Sequence, residues 1–286
     1  MTNIAKQNAF SFRICFEELF FIFHTLEFNT LPGLGTDPFD HLSSERKAQM
    51  LAGGFNSLRA KGWAQLLPNV EHPIGLDRLL VLPVVACTTS RQVLSITRQP
   101  PDSPGEHLLV FQSPDLLVMY RLVEAGIYEF IVTADHEELI AFLLGIVISS
   151  RAATGSQSVH TGAFSLNRSE ANTLLDFQKR KNITGIRELL ESSHVPEHTI
   201  ENYIETLTGL QYSVMLSFIE FPEDVASIDR YQGWRINVIV GEKSIWTIRD
   251  ADNETLELQC TKANDLENII SKWIRTAANR RNDSVS

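Results

Sequence analysis

A strand that passes through threonine into a helix with an acidic first turn occurs twice in this chain, and this repeat constrains the fold more than any other feature. Residues 127–147 read IYEFIVTADHEELIAFLLGIV, and residues 255–274 read TLELQCTKANDLENIISKWI. Both begin with the alternation typical of a half-buried strand and then change to the 3.6-residue period of a helix. Three further alternating runs precede each copy, at 91–99, 107–113 and 116–124 and at 211–221, 233–241 and 244–250. The pattern predicts two antiparallel meanders, each closed by a helix.

Helical segments precede each set of strands in the same order. They are predicted over residues 12–26, 43–62 and 76–82 in the first half and over residues 165–178, 182–192 and 196–208 in the second. Residues 151–164 are small, polar and glycine-containing, which favours a linker. We therefore predict an α+β protein with an internal duplication of about 120 residues, made of an N-terminal half, 1–150, and a C-terminal half, 165–286. A pseudo-two-fold pair of lobes and two halves that share one central sheet both fit this order.

Composition and charge limit the classes of function. The 286 residues carry a formal charge of −10, which disfavours sequence-independent binding of nucleic acid, because such binding depends on cations that neutralise phosphates. The three cysteines, Cys15, Cys87 and Cys260, lie far apart and indicate neither a disulfide framework nor a metal site. The N-terminus lacks a signal-peptide pattern, and the most apolar segment, 139–149, is shorter than the roughly 20 residues that span a bilayer. A cytoplasmic protein without membrane insertion is expected.

Motifs that carry chemistry are not evident in the sequence. The stretch LPGLGTDPF at 31–39 follows a helix and not a strand, and Asp37 and Asp40 would repel a phosphate, so we interpret it as a bend between helices. His194 and His198 flank Pro196, which indicates a solvated pair instead of two metal ligands on one helical face. No serine stands in a GxSxG motif. We predict no catalytic residue, no cofactor and no metal ion.

Two alternative functions are compatible with the residues. The helix over 43–62, followed by strands, could form a winged helix in a DNA-binding regulator, with Arg46, Arg59 and Lys61 as phosphate contacts. The long meander and the negative charge disfavour that interpretation. An enzyme whose active site is assembled from residues distant in sequence is the second alternative.

The order of elements resembles a known family. The N-terminal FEELFFIFHTLEFNTLP, the helix that ends in SLRAKGW, the meander, the second helical half and the terminal segment from GWRINVIVG with its GW…W…L…I pattern together resemble the EspG family of type VII (ESX) secretion-associated chaperones. The terminal pattern consists of residue types expected in a core. The resemblance implies a cytosolic, pseudo-symmetric α+β protein that covers the apolar tip of a helical PE–PPE substrate pair, without cofactor or catalysis.

The resemblance also implies where a protein partner would bind. The matching surface comprises the loop from Gln99 to His107 and the helical region around 166–190. The candidate partner-binding residues are Gln99, Pro101, Asp102, Pro104, His107, Leu174 and Phe177. Residues 12–26 are apolar nearly all the way round and are either core or a second partner surface. The identity of the partner and the oligomeric state are left open.

Overall fold

The computed structural model describes residues 9–28, 30–31, 35–36, 39, 41–68, 73–113, 116–148, 162–220 and 232–279. These residues form eight helices and a large antiparallel sheet of ten strands, with two small two-stranded ladders, which confirms the predicted α+β class. The chain divides into two compact units. Unit 1 contains Met1–Val93 and Leu108–His136, and unit 2 contains Leu94–His107 and Glu137–Ser286. Residues 151–161 of the predicted linker lie outside the described residues.

Unit 1 begins with a strand and ends with the first meander. Its elements are β1 (Ala9–Cys15), α1 (Phe16–Thr25), β2 (Thr30–Leu31), β3 (Gly35–Thr36), α2 (Ser44–Ala60), β4 (Ala64–Leu66), β5 (Ile74–Leu76) and α3 (Arg78–Thr89), followed by β6 (Gln92–Gln99) and β7 (Glu106–Gln112), which have residues in both units, and by β8 (Leu117–Glu124) and β9 (Ile127–Thr133). The strand order in unit 1 is β1-β9-β8-β7.

Unit 2 also contains an edge strand, helices and an antiparallel meander. Its further elements are α4 (His136–Val147), of which His136 belongs to unit 1, β10 (Ala163–Asn167), α5 (Arg168–Lys179), α6 (Ile183–Ser192), α7 (Glu197–Thr208), β11 (Leu210–Glu220), β12 (Gln232–Gly241), β13 (Ile245–Asp250), β14 (Thr255–Thr261) and α8 (Ala263–Asn279). The strand order is β6-β11-β12-β13-β14-β10. In both units, therefore, the last strand of the meander lies between its predecessor and an edge strand from the start of the half.

The edge strands correct two of the predicted helices. Residues 12–15, predicted as helical, belong to β1, which pairs with β9 along its whole length, and residues 165–167 belong to β10, which pairs with β14. Both helices begin later, at a capping box in which the last strand residue and the glutamate three residues on bond reciprocally. Helical periodicity alone does not reveal where such a strand ends, because apolar residues at alternate positions also fit a short helix.

The N-terminal aromatic helix is core and not an exposed face. Leu19, Ile22 and Phe23 of α1 are buried, and Phe39 packs its ring against Phe20 and Phe23. The glycine-containing stretch that was expected to be a bend folds back as the β2–β3 ladder. Its residues 32–34 and 37–38 lie outside the described residues.

Three aromatic rings lie at the centre of the hydrophobic core of unit 2. Phe164 of β10, Tyr203 of α7 and Trp246 of β13 lie 5.0–5.7 Å apart between ring centroids. The indole N–H of Trp246 donates to Asn202 Oδ1 at 3.0 Å, which satisfies its polar atom inside the core. The core assignment of the terminal pattern is therefore correct for Trp246. In the described part of the chain, no helix combines the length and the apolar character needed to span a membrane.

Candidate partner-binding surface

The loop between β6 and β7 is held in shape by Gln99. Its side-chain amide donates to the carbonyls of Pro100 and Ser103, at 3.0 Å each. A Cβ on Gly105 would lie 2.5 Å from the Gln99 side-chain oxygen and 3.2 Å from the Arg98 carbonyl, so the close approach depends on glycine at this position. Gln99 therefore fixes the loop through two backbone carbonyls, although the residue itself is exposed.

Pro101, Asp102 and Pro104 lie in an exposed stretch of the loop that runs from residue 101 to residue 107. Proline restricts the backbone, and the Gln99 amide already bonds to two loop carbonyls. A surface that is ordered before it meets a partner loses less conformational entropy on binding. The loop can thus present a preorganised carboxylate, that of Asp102, between two prolines.

The base of the loop is tied to neighbouring strands. The Arg98 guanidinium lies over the Tyr212 ring, 4.1 Å from its centroid, and also reaches Glu106 at 3.7 Å. His107 Nε2 lies 3.0 Å from Ser95 Oγ. Partial burial of the ring lowers the pKa of His107, because a charged imidazolium is less well hydrated there. His107 is consequently neutral at pH 7 and adds no charge to this surface.

Helix α5 presents a different residue from the one predicted. Leu174 is 2% exposed and belongs to the hydrophobic core of unit 2, with Phe177 partly buried against it. Leu175, by contrast, is 40% exposed. Leu174 and Phe177 stand three apart on the inward face, together with Ala171, and Leu175 is turned outward. As positioned in the structure, Leu174 offers no surface to a partner.

The structure does not bring the two predicted patches together. The β6–β7 loop follows β6, at one end of the strand order of unit 2, whereas α5 packs against β10 and β14 at the other end. Strands β11, β12 and β13 lie between β6 and β14, and at the usual strand spacing this is a separation of roughly 19 Å. The loop and α5 are therefore two patches and not one continuous site.

An exposed tryptophan near the end of a hairpin was not predicted. Trp234 of β12 stacks on Phe218 of β11 with 3.6 Å between ring centroids, and 46% of its surface is exposed. Trp234 shares its face of the strand with the buried Ile236, which explains the core prediction, but that prediction is wrong for Trp234. Strand β13 pairs with β12 only from Ile236 to Val240, so Trp234 lies beyond the end of that neighbour.

The described ranges do not assemble a metal-binding or nucleophilic constellation. They contain no group of three or more His, Cys, Asp or Glu side chains placed to hold a metal ion, and His194 and His198 are not brought together with further ligands. A polar depression of about 330 Å³ next to α7 and β12 has its side chains engaged with each other, as Lys243 pairs with Glu205 and Thr206 bonds to Ser244. This depression presents no nucleophile next to a free base.

Two of the three basic residues proposed as DNA contacts, Lys61 and Arg46, form ion pairs. Lys61 Nζ lies 2.7 Å from Glu18, and Arg46 lies 3.8 Å from Glu17. Both ion pairs place a carboxylate next to a cation that would have to meet a phosphate. The geometry therefore gives the winged-helix alternative no support.

A comparison with solved structures finds the same fold in a secretion chaperone. A structure of the Mycobacterium tuberculosis type VII secretion system chaperone EspG5 in complex with a PE25–PPE41 dimer matches this chain with a TM-score of 0.63, over 92% of this chain and 95% of the EspG5 chain. The sequences are 10% identical over this match, so the similarity shows a shared fold. No protein-family model and no curated protein sequence matches the chain.

Proposed function

We propose that this chain is a non-enzymatic, cytoplasmic binding protein that keeps a helical protein partner soluble, in the manner of a type VII secretion-associated chaperone. The observation that carries the proposal is the fold similarity to EspG5, which extends over more than nine-tenths of both chains. That neighbour was solved with a PE25–PPE41 dimer bound to it. A similarity that covers both units supports the proposal more strongly than a similarity that covers a single domain. Function nevertheless depends on the residues of a surface and not on the fold.

The partner surface that we propose lies in unit 2 and has two parts. The first is the β6–β7 loop, with Pro101, Asp102 and Pro104 as contacts and with Gln99 and His107 at its base. The second is the exposed side of α5, with Leu175 and the accessible edge of Phe177. Scattered apolar groups around a rigid loop favour recognition by shape and apolar burial, which needs no positioned acid or base.

We also propose that the two halves of the sequence, 1–150 and 165–286, descend from one duplicated unit joined at 151–164. Two details beyond the element order support this. Both halves enter their first helix through a strand and a capping box. Both meanders place an arginine opposite a glutamate on the last two strands, Arg121 with Glu129 and Arg249 with Glu257.

Co-expression with a PE–PPE-type helical pair tests the proposed function. We expect the pair to be more soluble with this chain than without it, and the three proteins to co-elute in size-exclusion chromatography. The double variant Asp102→Arg, Leu175→Asp should weaken the complex at least tenfold. The matched control is Leu122→Asp, at a residue that is 56% exposed in unit 1, and it should bind as the wild type does.

Three results would contradict the proposal. The first is a helical pair that stays insoluble in the presence of the folded chain. The second is a complex that survives the double variant but not the control, since the proposed surface would then be wrong. The third is retention of duplex DNA with a steep salt dependence in the absence of any protein complex, which would favour the regulator.

A further inference from the structure

Strand β1 has one unpaired edge. It is the first strand in the sheet order, pairs with β9 from Ala9 to Cys15, and has no described strand on its other side. An edge of this kind offers backbone donors and acceptors to any extended chain that fits it. What such a chain would meet depends on which residues of β1 direct their backbone groups outward.

Two side-chain contacts identify the outward residues. Lys61 Nζ lies 3.4 Å from the Arg13 carbonyl oxygen, and the Cys15 N–H donates to Glu18 Oε2 at 2.9 Å. Neither partner belongs to β9, so the backbone groups of the odd-numbered residues of β1 point away from β9. Lys61 and Glu18 cover the C-terminal end of the edge. The Ser11 N–H and C=O face outward with no hydrogen-bond partner among the described residues.

An apolar groove lies beside this open part of the edge. Its volume is about 110 Å³, and its lining residues are Phe10, Ser11, Phe12, Trp63, Leu79 and Leu80. Phe12 and Leu80 form a buried floor, whereas Phe10 is 37% and Leu79 is 63% exposed. The groove approaches in volume the cavity of about 150 Å³ that accepts a benzene ring, so it has room for one large apolar side chain.

Two arginines lie next to the open edge on opposite faces of the sheet: Arg78 precedes Leu79 on the groove side, and Arg13 points to the face opposite Phe10 and Phe12. Arg78, next to Leu79, is exposed and forms no ion pair among the described residues. Arg13 shares the single carboxylate of Glu129 with Arg121, which leaves a net positive charge on that cluster. Asp77 caps the N-terminus of α3 through the Leu79 N–H and does not pair with Arg78. The chain as a whole carries −10, so the local excess of positive charge at Arg13 and Arg121 next to this edge favours an acidic occupant.

We propose that the β1 edge and its groove bind an extended, acidic peptide segment of a protein partner by adding it as a further strand. The Ser11 N–H and C=O bond to the backbone of the segment, one apolar side chain enters the groove, and the carboxylates on either side of it point to the opposite face of the sheet and meet Arg13. Backbone bonds provide affinity in this mode of recognition, and the groove provides selectivity. A second copy of this chain fits less well, because pairing two β1 edges brings two Arg13 clusters of net positive charge and two chains of charge −10 together.

Binding of a synthetic peptide tests the proposal. The probe is fluorescein-labelled, amidated Glu-Val-Glu-Phe-Glu-Val, followed by fluorescence anisotropy at low salt against the full chain. We expect saturable binding that the same peptide with lysine in place of glutamate does not show. Ser11→Pro removes the outward N–H without breaking the ladder to β9, because proline is tolerated where the N–H faces outward from a sheet edge. We expect Ser11→Pro to weaken binding at least tenfold and Ser11→Ala to leave it unchanged.

A second variant tests the same binding site without introducing a proline. Leu79→Asp changes an exposed side chain and places a negative charge at the groove, so it should also weaken binding at least tenfold, whereas Leu122→Asp should not. Circular dichroism and thermal melting establish that each variant is folded. The proposal is overturned if the acidic peptide does not bind the wild type, if it binds Ser11→Pro as tightly as Ser11→Ala, or if the chain forms a concentration-dependent dimer that Ser11→Pro dissolves.

Discussion

The two strand-to-helix transitions share one local device but differ in their surroundings. At the end of β1, Glu18 accepts the Cys15 N–H at 2.9 Å, and at the end of β10, Glu170 accepts the Asn167 N–H at 2.9 Å. Glu18 is fully buried and also binds Ser57 and Lys61 of the α2 region. Glu170 is half-buried and binds Ser193 at 3.2 Å. The same capping motif therefore starts a helix in both units and links it to a second helical segment, but only in unit 1 is the linking carboxylate fully buried and paired with a cation.

The cross-strand carboxylates show a similar contrast. Glu129 is almost buried between Arg121 and Arg13, while Glu257 bonds to Arg249 and is more exposed. The position of Arg13 opposite Glu129 is taken in the second half by Ser165 opposite Glu257. Equivalent positions in the two halves therefore contribute unequally to the stability of the fold when their burial differs. The stability of a charged group that is removed from water depends more strongly on its ion-pair partners.

Replacement of the two capping carboxylates should give the largest contrast. Glu18→Gln leaves Lys61 facing a neutral group and disturbs three hydrogen bonds at a buried site, so we expect a loss of about 2–4 kcal/mol of unfolding free energy. Glu170→Gln should cost less than about 1 kcal/mol, because its site is half exposed. Urea unfolding, with hydrogen exchange of α1 and α5 measured separately, checks both values. Equal losses at the two sites would mean that the buried glutamate contributes no more than a local cap.

A substitution that disturbs the close packing of α1 on α2 should give the next largest loss of unfolding free energy. A Cβ on Gly54 would lie 2.3 Å from the Glu17 carbonyl oxygen and 2.8 Å from Phe21 Cβ. Because the first obstacle is backbone, Gly54→Ala should cost about 1–3 kcal/mol. At the neighbouring Gly53, a Cβ would have nothing within 4 Å, so Gly53→Ala should stabilise α2 by about 0.5–1 kcal/mol.

The second half offers a counterpart to the Gly54 test. At Gly185 the nearest obstacles are the Asn182 and Phe177 side chains, at 2.5 Å and 3.1 Å. Side chains can move where a backbone carbonyl cannot, so Gly185→Ala should destabilise less than Gly54→Ala. Thermal melting of the three alanine variants gives the ranking. A Gly54→Ala variant as stable as Gly53→Ala would show that α1 and α2 are less tightly packed than the structure has them.

Acid should weaken the carboxylate sites of unit 1. Burial alone would raise the pKa of Glu129, but hydrogen bonds from Arg121 and Arg13 outweigh it and lower the pKa. A carboxyl group whose pKa is lower in the folded state stabilises the fold above its unfolded pKa of about 4.3, and this contribution is lost as the pH falls through the folded value. Glu129→Gln should therefore cost about 1 kcal/mol at pH 7 and flatten the decline in stability between about pH 5 and pH 3.

A matched control separates this effect from general acid unfolding. Glu267→Gln changes an exposed carboxylate on α8 and should leave the pH profile of the wild type intact. Urea midpoints at a series of pH values compare the three proteins. If Glu129→Gln declined as steeply as the wild type, the arginine bonds to Glu129 would not contribute to acid sensitivity.

Removal of the Arg13 side chain should give the smallest loss of unfolding free energy. Arg13→Ala leaves Glu129 with Arg121, which is the arrangement that Glu257 has with Arg249. Because the Arg13 side chain is mostly exposed, we expect a loss of only about 0.5 kcal/mol. The same variant measured at high salt should show a still smaller loss, as screening weakens exposed pairs. A loss as large as that of Glu18→Gln would mean that the exposed cation matters as much as the buried carboxylate.

Much of the fold could be predicted from short-range patterns. Period-two alternation identified the four strands of each meander, and the acidic first turns identified the helices that follow them. The edge strands were not recognised, because β1 and β10 precede helices directly and their apolar residues also fit a helical face. Among the candidate site residues, the exposure of Pro101, Asp102 and Pro104 followed from their loop composition. The inward position of Leu174 and the outward position of Leu175 depend on which side of α5 meets β10 and β14, which lie elsewhere in the sequence.

The sequence by itself determined the order of the meander strands and of the helices around them, because these elements depend on residues within a few positions of one another. Only the tertiary structure decided that Glu18 is an anchor and Glu170 a surface cap, that Trp246 is buried and Trp234 exposed, and that β1 has an open edge beside an apolar groove. Burial and pairing are set by neighbours far along the chain, such as Lys61 for Glu18 and the extent of β13 for Trp234. Residues with similar local sequences therefore differ in how much they stabilise the fold and in whether they are exposed to a partner.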